Sequence, residues 1–237
     1  TILFGWRNVT LASALLALVM AVLVFMFVRD DPSEKGLKSY LDKESSGQKE
    51  EKILRSLGRV FRFSNTWFLT IAPGGIVGAV LTFSGLWGVP FLTEVYHLEN
   101  ATAATLCSLV MLAWALSGPI YSLVSERIQL RRMPYLIGTM ISLISWSLVF
   151  LIPGWSLGVL SFLLFLAGFF SGGMILGFAQ GKETLPLSLS GTVSGVINMG
   201  VLTGPMLLQP LVGFLLDSTK PKAHTSMEIA VGFHFED

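Results

Sequence analysis

The sequence predicts an all-α, polytopic transmembrane helical bundle, and two observations carry this prediction. Of the 237 residues, 52% are hydrophobic and only 13% are charged, whereas an ordinary soluble domain carries roughly 25% charged residues. The charges are also unevenly spread, which leaves six apolar segments of about the 20 residues that a bilayer-spanning helix needs. A soluble helical core is excluded, because most helices of a soluble domain present a polar face and these segments have none.

The predicted spans follow from the gaps between charged residues. The longest uncharged segment runs from Met133 to Gly181, and Pro153-Gly154-Trp155 divides it, because proline followed by glycine is a turn signal. The six predicted spans are residues 8–28, 65–93, 101–124, 134–152, 156–180 and 191–216.

The basic residues predict the orientation of these spans. Nine of the sixteen lie in the loop between the first two spans, and four more follow the third and fifth spans. If six spans alternate, thirteen basic residues share one side of the membrane and three lie on the other. Since cytoplasmic loops are enriched in lysine and arginine, the loop of residues 29–64 is expected in the cytoplasm. We expect a multi-pass integral protein of the bacterial inner membrane.

Four regions are predicted in the chain. Residues 1–28 hold the first transmembrane helix, residues 29–64 form a cytoplasmic loop, residues 65–216 form a helical bundle, and residues 217–237 form an extracytoplasmic loop or a truncated end. Within the loop, residues 45–48 read as a linker, and the apolar residues from Ile53 to Phe61 recur at helical spacing between arginines. This pattern predicts an amphipathic basic helix, either an anchor on the inner leaflet or a site for a regulatory partner.

Composition excludes several classes of function. The net charge of +1 leaves no electrostatic footprint for nucleic acid. Cys107 is the single cysteine and the three histidines are scattered, so we expect no disulfide, metal site or cofactor. Ser194 has no candidate base within the spans, and no enzyme activity is expected.

Polar residues within the spans are the candidate site. An amide in lipid is costly unless it faces protein or a water-filled cavity. Asn198 therefore either contacts a bound solute or hydrogen-bonds a neighbouring helix. The other candidates are Gln209 in the same span and Thr82, Ser84 and Trp87 in the second span.

Glycine and proline mark the last two spans. Glycines recur in the fifth span at 168, 172, 173, 177 and 181 and in the sixth at 191, 195, 200 and 204, a spacing that lets helix backbones approach closely. Pro205 and Pro210 flank Gln209, and an irregular helix end is expected there.

The turn after the third span resembles a family signature. From Gly118 to Arg132 the chain is similar to the signature loop of the major facilitator superfamily in its second copy, with Glu126, Arg127, Arg131 and Arg132 on the charged positions. Glutamate stands where aspartate is usual, and Gln129 and Leu130 stand where a glycine and a basic residue are usual. Residues 5–7 are similar to the outer start of the family's sixth helix, residues 85–92 to its seventh helix, and residues 209–217 to the end of its eleventh.

The resemblance implies the family's fold and its activity. It implies helices six to eleven of a twelve-helix protein, so five further spans are expected before this chain and one after it, with the missing N-terminal half as a partner. It also implies secondary active transport of a small solute by alternating access. The seventh, tenth and eleventh helices look closest to bacterial permeases related to lysosomal dipeptide carriers.

Several details of transport remain open alternatives. The uncharged span interiors favour a neutral or zwitterionic solute. Glu94 is either a proton-coupling site or a solvated acid in an outer turn. Glu126 and Arg127 either lock the third span against the sixth or only set topology. The competing hypothesis is a stand-alone six-span scaffold or dimeric membrane protein.

Overall fold

The structure, a computed structural model, describes residues 6–29, residue 36 and residues 53–219. These residues form nine α-helices and contain no β-strand. The helices are α1 (Trp6–Phe27), α2 (Ile53–Phe61), α3 (Ser64–Thr82), α4 (Gly88–Tyr96), α5 (Asn100–Ile128), α6 (Arg132–Leu151), α7 (Leu157–Ser171), α8 (Ile175–Thr184) and α9 (Ser190–Thr219). The predicted linker at 45–48 and the tail beyond residue 219 lie outside the described residues.

Six helical segments are long and apolar enough to cross a membrane, so the predicted polytopic bundle is confirmed. The spans, numbered first to sixth, are Arg7–Phe27, Ser64–Tyr96, Asn100–Ile128, Arg132–Leu151, Leu157–Thr184 and Leu187–Ser218. A π-helical turn joins α3 to α4 within the second span, and a 3-10 turn joins α7 to α8 within the fifth. Gly154 makes the break between the fourth and fifth spans at φ 92, a backbone conformation that favours glycine.

The chain divides into two compact units, residues 1–50 and residues 51–237. The first unit contains α1, whose 22 residues include a single charged side chain, Arg7. A helix that is apolar on every side is typical of a membrane span. The second unit contains the other five spans and α2, and all of the packing described below lies within it.

Glycine brings the second and sixth spans into backbone contact. A Cβ added to Gly204 would collide with the carbonyl oxygen of Gly74, and one added to Gly200 would collide with the carbonyl oxygen of Thr70. A Cβ on Gly78 would lie 2.7 Å from Leu208 Cδ1. Such close approach increases van der Waals contact between helices in a lipid environment, where the hydrophobic effect does not drive helices together.

The glycines of the fifth span also contact the third span, as their spacing predicts. A Cβ on Gly168 would meet the carbonyl oxygen of Val110, and one on Gly172 would meet Ser117 Oγ. In the sixth span the prediction is only partly correct. Gly191 and Gly195 are exposed, and nothing lies within 4 Å of a Cβ built on either.

An aromatic cluster fills the space between the second and fourth spans. The Phe83 and Trp146 rings meet edge to face at 5.0 Å, and Trp146 stacks on Phe150 at 5.6 Å. These rings join a core that includes Leu92, Val110 and Leu164 from three spans. Aromatic pairs of this geometry add about 0.5–1.5 kcal/mol beyond the area they bury.

The amphipathic helix α2 packs on the bundle through its apolar side. Val60 is fully buried in a cluster with Leu185, Leu189 and Val193, beside the start of α9. Leu57 and Phe61 pack against the same cluster. Near the start of the helix the apolar side chain of Leu54 is exposed. The apolar side of α2 thus packs on the bundle mainly through Val60.

The backbone contact at Gly204 gives a testable prediction. We expect Gly204→Ala to lower the free energy of unfolding by about 1–3 kcal/mol, the usual cost of overpacking a close contact. The measurement is unfolding of the purified protein in mixed micelles by SDS titration. Gly195→Ala is the matched control on the same helix, and its effect should stay within about 0.5 kcal/mol. Equal losses for the two variants would contradict the close packing of α3 on α9.

Candidate functional site

The second span contains a five-residue π-helical turn, Phe83–Trp87. Such turns are rare and are found mostly as single bulges, frequently at functional sites. The turn includes two of the predicted site residues, Ser84 and Trp87, and directly follows a third, Thr82. Three of the five pathway candidates thus lie where the helix leaves regular geometry.

Trp87 ties the π turn to the sixth span. Its indole N–H donates a hydrogen bond of 3.1 Å to the backbone oxygen of Gln209, and its ring lies over Gly213, where an added Cβ would be 3.2 Å from Cζ2. In the other direction, Gln209 Nε2 donates to the backbone oxygen of Leu81 at 3.4 Å. Trp87 and Gln209 are therefore brought together, as residues of one interhelical contact.

The expected irregular end of the sixth span is not observed. The helix α9 is continuous from Ser190 to Thr219 and passes through both Pro205 and Pro210. A proline within a helix removes a single backbone hydrogen bond, and packing in a membrane bundle can tolerate this loss. The irregularity lies instead in the second span, at the π turn.

A groove of about 410 Å³ opens beside the Trp87 contact. Thr82, Trp87 and Glu94 line it from the second span, Phe150 from the fourth and Leu208 from the sixth. Apart from Thr82, Trp87 and Glu94 its lining is apolar. Glu94 is exposed and does not lie deep among the helices.

Two hydroxyl groups near the groove lack partners. Thr82 Oγ1 and Ser84 Oγ are buried, and neither has a hydrogen-bond partner within the described part of the chain. A buried hydroxyl without a partner costs free energy, about 1–3 kcal/mol by mutational data. Water or a bound polar group would satisfy both atoms.

Asn198 lies apart from this cluster. It is exposed, so its amide does not serve as a clamp between helices of this unit. It precedes Gln209 by eleven residues on α9, which is about three helical turns and places the two on nearly the same side of the helix. Exposed Gly195 and Leu202 share that side.

A second cluster lies at the turn between the third and fourth spans. The fully buried Ser125 hydroxyl donates to the backbone oxygen of Leu130 at 2.6 Å and accepts from Arg131 Nη1 at 3.1 Å. Arg131 also contacts one carboxylate oxygen of Glu183, at 2.9 Å from Nη2 and 3.1 Å from Nε. The arginine therefore joins the turn to the end of α8.

Gln129 adopts the conformation that a glycine would favour at its position. Its φ of 54 lies in the left-handed region and ends α5, which costs a residue with a Cβ roughly 1–2 kcal/mol. Its side chain donates a 2.6 Å hydrogen bond to the backbone oxygen of Glu126, which offsets part of that cost. Gln129 thus ends α5 in a conformation that a glycine would adopt without this cost.

The remaining residues of the signature are placed differently from expectation. Glu126, Arg127 and Arg132 are exposed. A lock of Glu126 and Arg127 against the sixth span is not observed, and the ion pair joins Arg131 to the fifth span instead. Nothing lies within 4 Å of a Cβ built on Gly118.

Sequence reasoning missed Ser125 and Glu183. Glu183 had a usable signal, since it is an acidic residue at the end of a span on the side where arginines gather. For Ser125 the sequence offers no signal beyond its position one helical turn before Gln129. Across 6–29 and 53–219, no three His, Cys, Asp or Glu residues are grouped as metal ligands would be.

The ion pair predicts a small, salt-dependent stabilisation. The Arg131 and Glu183 side chains are 27% and 51% exposed, and half-exposed pairs contribute under about 1 kcal/mol. A double-mutant cycle of Arg131→Gln and Glu183→Gln, measured by SDS unfolding, should give a coupling free energy of that size. In 1 M NaCl most of this coupling free energy should be lost. Arg131→Gln should cost more than Glu183→Gln, because it also removes the bond to Ser125. A cycle of Arg127→Gln with Glu183→Gln is the control and should show no coupling.

Comparison with known proteins places this geometry in a family. No curated protein matches the chain significantly. The profile of the Major Facilitator Superfamily matches residues 1–221, which include all six spans, the π turn and the turn that Arg131 closes. With six membrane-capable helices matched from end to end, the chain belongs to the Major Facilitator Superfamily.

Proposed function

We propose that the protein is a secondary active transporter that moves a small solute across the membrane by alternating access. The match of the superfamily profile to residues 1–221 carries this proposal. In it, the chain supplies helices six to eleven of a twelve-helix carrier, and a preceding half supplies the rest of the solute pathway. We infer no catalytic activity.

The proposed solute pathway includes Asn198, Gln209, Thr82, Ser84 and Trp87. Two observations support it. The hydroxyls of Thr82 and Ser84 have no partner among the described residues and suit a polar ligand or water. Asn198 is an exposed amide within α9, on the same side as Gln209. An amide in that position is expected to face a water-filled cavity rather than lipid.

The solute is proposed to be neutral or zwitterionic, such as a small peptide or amino acid. From residue 64 to residue 93 and from residue 133 to residue 181 the spans contain no charged side chain. A strongly charged solute would therefore need its counter-charge from elsewhere. The resemblance to bacterial permeases related to lysosomal dipeptide carriers points to the same class of solute.

The proposed coupling ion is a proton. Glu94 is the one carboxylate that lines the groove beside Trp87. Its exposure favours a proton site at the mouth of the pathway, or coupling by a residue outside this chain. The Arg131–Glu183 pair is proposed as part of the cytoplasmic gate, because it ties the third-to-fourth-span turn to the fifth span.

The proposed pathway is tested by uptake into proteoliposomes that contain the protein expressed from its complete gene. With an acidic exterior, radiolabelled dialanine should accumulate above the level in empty vesicles, and a protonophore should abolish the accumulation. Asn198→Ala should lower uptake about tenfold, the effect of losing one hydrogen bond of about 1.4 kcal/mol.

Thr203→Ala is the matched control for Asn198→Ala. Thr203 is exposed on the same helix, five residues further on and therefore on a different side, and its hydroxyl bonds only locally to the Met199 oxygen. Uptake should stay within about twofold of wild type. Equal losses for the two variants would contradict a pathway along the Asn198 side. Uptake of neither dialanine nor alanine would contradict the proposed solute class.

The proposed orientation in the membrane can be tested with single cysteines placed at the two ends of α5. Glu99 precedes the helix and Glu126 lies in its last turn, and both are exposed. In a background in which Cys107 and every other native cysteine of the complete protein are replaced by serine, Glu99→Cys should react with a membrane-impermeant maleimide on intact cells. Glu126→Cys should react only after permeabilisation, since the arginine-rich side is proposed to be cytoplasmic. The reverse pattern would contradict this orientation.

A further inference from the structure

A second groove, the α5–α6 groove, lies at the arginine-rich end of the bundle and has a volume of about 320 Å³. Its lining includes Ile120, Val124 and Ile128 from α5, Met133 and Ile137 from α6, and Phe169 from α7. The volume falls within the range of small-molecule sites. The groove runs along the last turns of the third span and the first turns of the fourth, beside the turn that joins them.

Two arginines that have no partner among the described residues flank the end of this groove. Arg127 directly precedes the lining residue Ile128, and Arg132 directly precedes the lining residue Met133. Both are exposed, and within the described part of the chain neither has an ion pair or hydrogen bond. Arg131, between them in the turn, is engaged by Glu183 and Ser125. Arg131 thus binds groups of the protein itself, whereas Arg127 and Arg132 are accessible to an external anion.

We propose that the α5–α6 groove binds an anionic phospholipid. The phosphate pairs with Arg127 and Arg132 at the membrane surface, and one acyl chain lies in the apolar groove below them. A phospholipid joins a negative head group directly to an apolar chain. The two arginines lie at the turn and the apolar groove extends away from them along α5 and α6, which is the same order. The site is independent of the solute that the protein carries.

Charge favours a lipid over a second copy of this chain. Within the second unit, this turn and the end of α8 carry four basic residues (Arg127, Arg131, Arg132 and Lys182) and two acidic ones (Glu126 and Glu183). A parallel dimer across the groove would therefore bring two arginine-rich ends together, which repel each other. An anionic lipid instead neutralises the arginines. Each basic residue near an anionic surface raises the affinity for that surface about fivefold.

The test is native mass spectrometry of the full-length protein in detergent micelles, titrated with dioleoyl phosphatidylglycerol or with dioleoyl phosphatidylcholine. The wild type should retain phosphatidylglycerol in preference to phosphatidylcholine, which has the same acyl chains. The variant Arg127→Gln/Arg132→Gln should lose about fivefold in phosphatidylglycerol affinity for each arginine removed. Arg127→Lys/Arg132→Lys should keep most of the preference, which separates loss of charge from loss of fold.

A matched control removes the same charge elsewhere. Arg55 and Arg62 are exposed basic residues at α2, away from the groove. Arg55→Gln/Arg62→Gln should leave the lipid preference unchanged, and an equal loss would show general attraction to anionic lipid and overturn the site. The larger side chain of Ile137→Trp fills the groove and should weaken the binding of both lipids equally. If this variant instead abolished a dimer and left lipid retention intact, a second copy would be the occupant and the proposal would be wrong.

Discussion

The structure of the second unit depends on the backbone contact between the second and sixth spans. Gly74 and Gly78 on α3 meet Gly200 and Gly204 on α9 so closely that a methyl group at Gly204 would collide with the opposite backbone. Two hydrogen bonds further along, from Trp87 to Gln209 and from Gln209 to Leu81, require the same close distance. Without the glycines, the π turn would have no partner within reach.

The same contact explains where the polar residues lie. Because one side of α9 is committed to α3, its other sides are left to carry exposed residues, and Asn198 is one of these. Helix α2 covers the start of α9 through Val60, and this cluster leaves Asn198 uncovered. The side of α9 with Asn198 is therefore a surface for water, solute or another part of the protein.

Sequence patterns predicted the spans but not the contacts between them. The charge-free segments and the turn at Pro153 predicted six helices, because a bilayer demands long apolar segments and tolerates few charges. The π turn at Phe83–Trp87 has no comparable signature, since one inserted residue hardly changes the composition of a span. The position of Glu183 at the end of a span marked it as a candidate partner for an arginine, but its pairing with Arg131 could not be predicted, because the two are 52 residues apart in sequence and meet only once three spans have packed.

The contrast between these interactions indicates which parts of a transporter of this kind would move. Glycine contacts between backbones leave no side chain that can rearrange, so the second and sixth spans are expected to move as one body. The Arg131–Glu183 pair is half exposed and weak, and it can break and form at little cost. Large motion would then occur at the exposed side of α9 that carries Asn198, and the Arg131–Glu183 ion pair would break or form with that motion.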